Sequence, residues 1–147
     1  MAYSVLDIAN KLLLKASCEN GGELMSNMKL QKMLYYQQGY HLAVFDTPLF
    51  NDSIEAWMYG PVVPYVYNYF KRYGAGGIIP EENTSIELTD NEERLFDDVC
   101  NAYINFSAIG LMEKTHKEEP WASTYVAGEN KVISLEKLKS FFQTQIE

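Results

Sequence analysis

SNMKLQKMLYYQQGYHLAV, residues 26–44, has the spacing of one helix but carries polar groups where a helix should be apolar. Leu30, Met33, Leu34, Tyr40 and Val44 share a face, and Ser26 stands where an N-cap belongs. Gln37 and His41 fall in the middle of that same face. Buried amides and imidazoles must find hydrogen-bond partners. Such a helix therefore either lines a site or makes satisfied polar contacts with neighbouring helices, and the second is the plainer reading.

The flanking segments supply those neighbours. Upstream, Ser4-x-x-Asp7 resembles a capping box, and Val5, Ile8, Ala9, Leu12, Leu13 and Ala16 follow as an apolar stripe stopped by Glu19-Asn20-Gly21-Gly22. Downstream, the period changes. Leu49-Phe50, a turn at Asn51-Asp52, and the alternation from Ile54 to Tyr59 predict a short β-hairpin, with Ile54, Ala56 and Met58 on one side. Gly60-Pro61 then opens a third helix that ends at Gly74, since Pro is tolerated in a first turn, and Pro64 requires that turn to include it. Val62, Val66, Tyr69, Phe70 and Tyr73 form its inward face. Residues 75–88 read as loop, with brief extended pieces at Ile78-Ile79 and Ile86–Leu88.

Thr89-x-x-Glu92 is a full capping box ahead of a helix to Phe106, with a stripe at Leu95, Val99, Ala102 and Phe106 widened by Phe96 and Tyr103. Ser107 caps a short helix to about Thr115, residues 116–131 read as loop, and Ser134 caps a terminal helix with Leu135, Leu138, Phe141, Phe142 and Ile146 inward. The expected fold is mainly α: a single compact helical domain over residues 1–147, with about five to six helices and a small β-hairpin.

Composition narrows the function. The 147 residues are 47% apolar and 22% charged, an ordinary globular balance for one domain. Two cysteines, Cys18 and Cys100, are too few for a disulfide framework and suit a cytoplasmic setting. Neither a signal peptide nor a membrane span is expected. The net charge of −8 sits wholly in residues 75–147, since residues 1–74 are neutral. Nucleic acid is therefore a disfavoured partner, although Lys29, Lys32, Lys71 and Arg72 neighbour tyrosines. A basic protein would be attracted to the acidic half, but the plainer reading of those acids is solvated helix faces.

No chemistry-bearing motif stands out. His41, His116 and the cysteines have no metal-ligand spacing, and Gly74–Gly77 follows a helix instead of opening one, so no metal or cofactor is expected. Thr115–Trp121 could hold an acid/base pair in His116 and Glu118, or could simply end a helix with His116 at its C-terminal dipole and Trp121 in the core. The aromatics are the strongest signal: twelve of twenty lie between Tyr35 and Tyr73. Trp57, Tyr59, Tyr65 and Tyr67, with Lys71 beside them, read equally as partner anchors or as an amphipathic core rim.

Three segments in order resemble the Panacea antitoxin domain, the domain of SocA-like antitoxins found in bacterial and prophage genomes. They are Lys29–Tyr36, with Lys29, Leu30, Lys32, Leu34 and Tyr36; Glu55–Val63, with Glu55, Ala56, Trp57, Gly60, Pro61 and Val62; and Thr115–Trp121, with His116, Glu118, Pro120 and Trp121. The resemblance implies a non-enzymatic antitoxin that neutralises a cognate protein toxin by direct binding. It also admits an adaptor that delivers a toxin to an AAA+ protease, or a phage factor binding a host defence protein. Glu119 stands where the family often has a small residue and Met33 where Leu is usual. Many members carry an extra N-terminal DNA-binding segment. Here the first domain helix starts at once, so no separate DNA-binding domain is expected.

Overall fold

Residues Asn27–Phe45 form helix α2, and the rest of the chain packs around it. The structure, a computed structural model, describes residues 2–19, 23–81 and 86–146. Before α2 comes α1 (Val5–Glu19). After it come β1 (Glu55–Trp57), β2 (Gly60–Val62), α3 (Pro64–Tyr69) with a following 3-10 turn (Lys71–Tyr73), α4 (Asp90–Tyr103), α5 (Ala108–His116), α6 (Glu119–Ala122), β3 (Lys131–Val132) and α7 (Leu135–Gln145). The three strands form one antiparallel sheet in the order β2-β1-β3. The fold is mainly helical with a small sheet, as the spacing predicts.

Thirteen of the nineteen residues of α2 are buried, so the helix has almost no solvent face. Val44 is the exception to the expected stripe: it lies near the helix end and is exposed. Ser26 caps the N-terminus by accepting from the Lys29 N–H, and Asp46 closes the C-terminus in the left-handed conformation. Gly39 lets α7 approach: a Cβ there would sit 2.1 Å from the Phe142 ring, which is fully buried against Tyr35 and Tyr40.

The polar side chains of α2 bind irregular backbone. Gln38 donates to the Phe50 carbonyl at 2.7 Å and accepts from the Leu49 N–H at 2.7 Å. This corrects the expected hairpin. Leu49-Phe50 is fastened to a side chain of α2 and so does not act as a strand. The hairpin turns at Met58-Tyr59, pairing Glu55 with Val62 and Trp57 with Gly60. Gly60-Pro61 therefore belongs to β2 and not to a helix start. Pro61 is tolerated because β2 is an edge strand, and α3 starts at Pro64. Met58, expected on one side with Ile54 and Ala56, is at the exposed tip, while those two are buried.

Gln31 extends the same device. Its amide oxygen accepts from the Val63 N–H at 2.9 Å, supplying the N-terminus of α3 where no side chain caps it. Its nitrogen donates to Asn27, which donates in turn to the Tyr67 carbonyl. Gln37 donates to the Phe96 carbonyl at 3.0 Å and contacts the buried Cys100. His41 lies between the Thr47 carbonyl and Glu92. The polar middle of α2 is thus a satisfied interhelical contact.

Other departures follow from where the core lies. Helix α4 ends at Tyr103, short of the expected Phe106, which is exposed. Its buried positions are Phe96, Val99, Cys100 and Tyr103 while Ala102 is exposed, so the inward face is rotated from the expected stripe. Tyr69 is exposed, donating to Glu81 beneath Arg72. Leu135 and Ile146, at the two ends of α7, are also exposed. Residues 116–131 include a short helix, α6, with Pro120 in its first turn. Ile86–Leu88 forms no strand, and residues 82–85 of that predicted loop lie outside the described residues. On α4, Glu93 and Asp97 pair with Lys11 and Lys15 of α1, so part of the acidic half does lie along a solvated helix face.

Two stability predictions follow. Gly39→Ala gains helix propensity yet forces a methyl into Phe142, and should destabilise by about 1–3 kcal/mol net in urea unfolding. Burial pushes the Glu92 carboxyl up, but hydrogen bonds from Tyr3, His41 and the Thr89 cap outweigh it and hold it at about 2, below its ordinary 4.5. Its contribution is therefore complete above that ordinary value and fades as pH falls toward about 2. Glu92→Gln should remove about 2–3 kcal/mol of this acid sensitivity in unfolding curves taken across the window.

Candidate functional site

The three motif segments meet at one place. Lys32 of α2 runs between β2 and α5: a Cβ on Gly60 would lie 2.8 Å from Lys32 Cε and 3.1 Å from Thr115 Oγ1. Gly60 also has φ +120°, so any other residue there is strained, and its Cβ would push the end of the Lys32 side chain aside. Pro61 and Val62, next along β2, are buried. Beside this crossing, Trp121 Nε1 donates to the Trp57 carbonyl at 2.7 Å, tying α6 to the hairpin. His116 and Tyr125 stack on Trp121, with ring centroids 4.0 Å and 4.6 Å away. Burial pushes the His116 ring down, and Lys32 adds to that, while a backbone hydrogen bond at Met58 acts the other way. Its Nε2 is buried without a partner among the described residues.

Many motif residues are scaffold. Leu30, Leu34 and Ala56 are core. Lys29 donates to the Ile104 carbonyl at the end of α4. Glu118 is buried where α5 meets α6 and accepts from Tyr35 and Tyr36 at 3.0–3.1 Å. Burial pushes its carboxyl up, and the two phenols pull the other way. Glu118 is thus a buried acceptor and not a base paired with His116. Pro120 is buried in the first turn of α6. Glu55 accepts from its neighbour Trp57 Nε1 at 2.9 Å. His41 and His116 share no hydrogen-bond partner among the described residues.

Above the crossing lies a groove of about 970 Å³. Lys32 lies along it, and its walls include Trp57 and Tyr59 of the hairpin, Tyr67 of α3, Met28 of α2 and Ile109 of α5. Trp57 meets Tyr67 edge to face, ring centroids 5.2 Å apart. Three of the proposed anchors, Trp57, Tyr59 and Tyr67, therefore line one surface. Tyr65 and Lys71 are exposed but do not line the groove. Tyr67 is half-buried and packs against Trp57. Sequence reasoning overlooked Met28 and Ile109 as wall residues and took Lys32 as a motif position and a basic neighbour of tyrosines, not as a buried cation. Ile109 left a trace: two residues before the buried Leu111, it faces the opposite side of α5 and is exposed.

The electrostatics of Lys32 are unusual. It is 1% exposed, and among the described residues it has no hydrogen-bond or ion-pair partner. Burial lowers its ammonium to about 8, from an ordinary 10.5. Between those values the unfolded chain binds more protons than the folded one, so Lys32's penalty is full below about pH 8 and lifts as pH rises toward 10.5. Lys32→Met should therefore stabilise the protein by about 1–3 kcal/mol at neutral pH, with the advantage shrinking in urea unfolding as pH rises through that window.

Among the described residues, no helix is long and apolar enough to cross a membrane, and no three His, Cys, Asp or Glu side chains gather to hold a metal ion. The model of the SocA-like antitoxin Panacea domain matches residues 30–122, which takes in the three motif segments apart from Lys29. Antitoxin SocA of Caulobacter vibrioides (strain NA1000 / CB15N) is 43% identical over 72 residues, 49% of this chain and 37% of that protein. The match thus spans well under half the length of that curated relative. No solved structure gives a significant match. With the family model covering more than half of the chain, and its motif residues assembled into one scaffold, the protein belongs to the SocA-like antitoxin, Panacea domain family.

Proposed function

We propose that this protein is a cytoplasmic antitoxin that neutralises a cognate protein toxin by direct contact, and that the toxin seats on the groove above Lys32. Family membership supports the antitoxin role. The observation that carries the location is the convergence of Trp57, Tyr59 and Tyr67 on one concave surface. Rigid aromatic side chains around a pocket supply much contact area at low entropic cost, as interface hot spots do. The exposed Met58 and Ile109 extend the apolar surface around it. The mechanism is occlusion: a toxin held here is blocked from its substrate, and this chain performs no chemistry on it.

Co-expression with the protein encoded by the adjacent gene tests the reading. Growth should be rescued while the toxin persists at full level on an immunoblot. Unrelieved toxicity would contradict the antitoxin role, and rescue accompanied by toxin loss only in cells with an active AAA+ protease would replace occlusion with delivery to proteolysis. Trp57→Ala and Tyr67→Ala should each weaken toxin binding by about 2 kcal/mol, roughly 30-fold in Kd. The hairpin's tie to α6 uses the Trp57 carbonyl, so losing the ring leaves it in place. Unchanged circular dichroism with weakened binding by calorimetry is the expected pair of results.

A further inference from the structure

Lys32 is a charged group almost wholly withdrawn from water, and among the described residues nothing balances it. Among the described residues, the other buried polar side chains of α2, Asn27, Gln31, Gln37, Gln38 and His41, each have a hydrogen-bond partner. The groups around Lys32 offer no negative charge: it runs between Gly60 of β2 and Thr115 of α5, and its titratable neighbour is the ring of His116. Glu118 is taken by Tyr35 and Tyr36. A buried cation left unpaired costs stability, and the cost falls away when a partner brings the counter-charge.

The surroundings define what that partner presents. Lys32 is the one charged side chain among the described residues lining the groove; Ser26, Asn27, Gln31 and Asn130 are neutral, and the Asn27 and Gln31 amides are already engaged, so the groove suits one monoanion. A phosphate would ask for several donors, and a protein of net charge −8 disfavours a polyanion. Apolar side chains stand both on the hairpin and α3, as Trp57 and Tyr67, and on α5, as Ile109. A carboxylate with apolar neighbours on both sides fits this arrangement, which an internal acidic residue provides and a chain terminus does not. We infer that the groove is a receptor for an Asp or Glu side chain of a protein partner, flanked by apolar residues, with the carboxylate pairing to Lys32. The inference rests on the antitoxin reading only for who that partner is.

A library of random linear peptides, displayed with their C-termini fused, can be selected on the full chain. Enriched peptides should share an Asp or Glu beside aromatic or aliphatic residues. In calorimetry, changing that acid to its amide should weaken binding to the wild type about 30-fold or more. The same change should make no difference on Lys32→Met. Failure to enrich an acidic–apolar motif, an amide peptide that binds the wild type equally well, or full carboxylate dependence on Lys32→Met would overturn the inference. The peptide comparison on the wild type stands even if the variant folds poorly. Because no toxin enters the peptide experiment, failure of the full chain to neutralise the toxin with carboxylate-dependent peptide binding intact would reject the antitoxin reading alone, and neutralisation without carboxylate-dependent peptide binding would reject the carboxylate pairing alone.

Discussion

A buried helix whose polar side chains act as backbone partners is the constraint on which this fold depends. In α2, Gln38 replaces a neighbouring strand for Leu49 and Phe50, Gln31 replaces a cap for α3, and Gln37 fastens α4. Each of these amides would be costly to bury alone. Together they let loops and short strands lie against a core helix without stranding their own N–H and C=O groups. The apolar side chains between them, Leu30, Met33, Leu34 and Leu42, provide the burial, and the amides set which segment docks where.

That division explains what could be seen in the chain and what could not. Caps and long stripes were legible: the Thr89–Glu92 box, the Ser107 and Ser134 caps, and the α1 stripe depend on a few adjacent residues. The hairpin was displaced because its rival signal was non-local. Leu49-Phe50 looks like a strand until Gln38, eleven residues earlier, takes its hydrogen bonds. The turn at Met58-Tyr59 carried no turn residues of its own, and its positive φ lies one position later, at Gly60. The inward face of α4 was misplaced because a wide stripe fits more than one rotation, and the neighbours decide among them.

The site was half legible. The aromatic cluster and the family segments pointed to the right region, and Trp57, Tyr59 and Tyr67 do share a surface. The separation of scaffold from surface needed coordinates. Glu118 and His116 look reactive in a string of letters, yet one is held by two phenols and the other stacks on Trp121. Lys32 looks like an ordinary surface lysine and is 1% exposed. Nothing local marks it, because the neighbours at the end of its side chain include Gly60, which comes from another element. A fixed frame beneath an exposed, aromatic-walled groove is an architecture that can accept different partners by varying wall residues such as Tyr59 and Ile109 without disturbing the core.

The central claim is that, among the described residues, α2 satisfies its buried polar groups internally except at Lys32, which is left for a partner. An NMR titration of the Lys32 side chain, with carbon-13 at Cε, measures this directly in the isolated protein. The account predicts a midpoint near 8, well below the other lysines. A midpoint near the ordinary 10.5 would contradict it, because it would mean that Lys32 is either solvated or already paired.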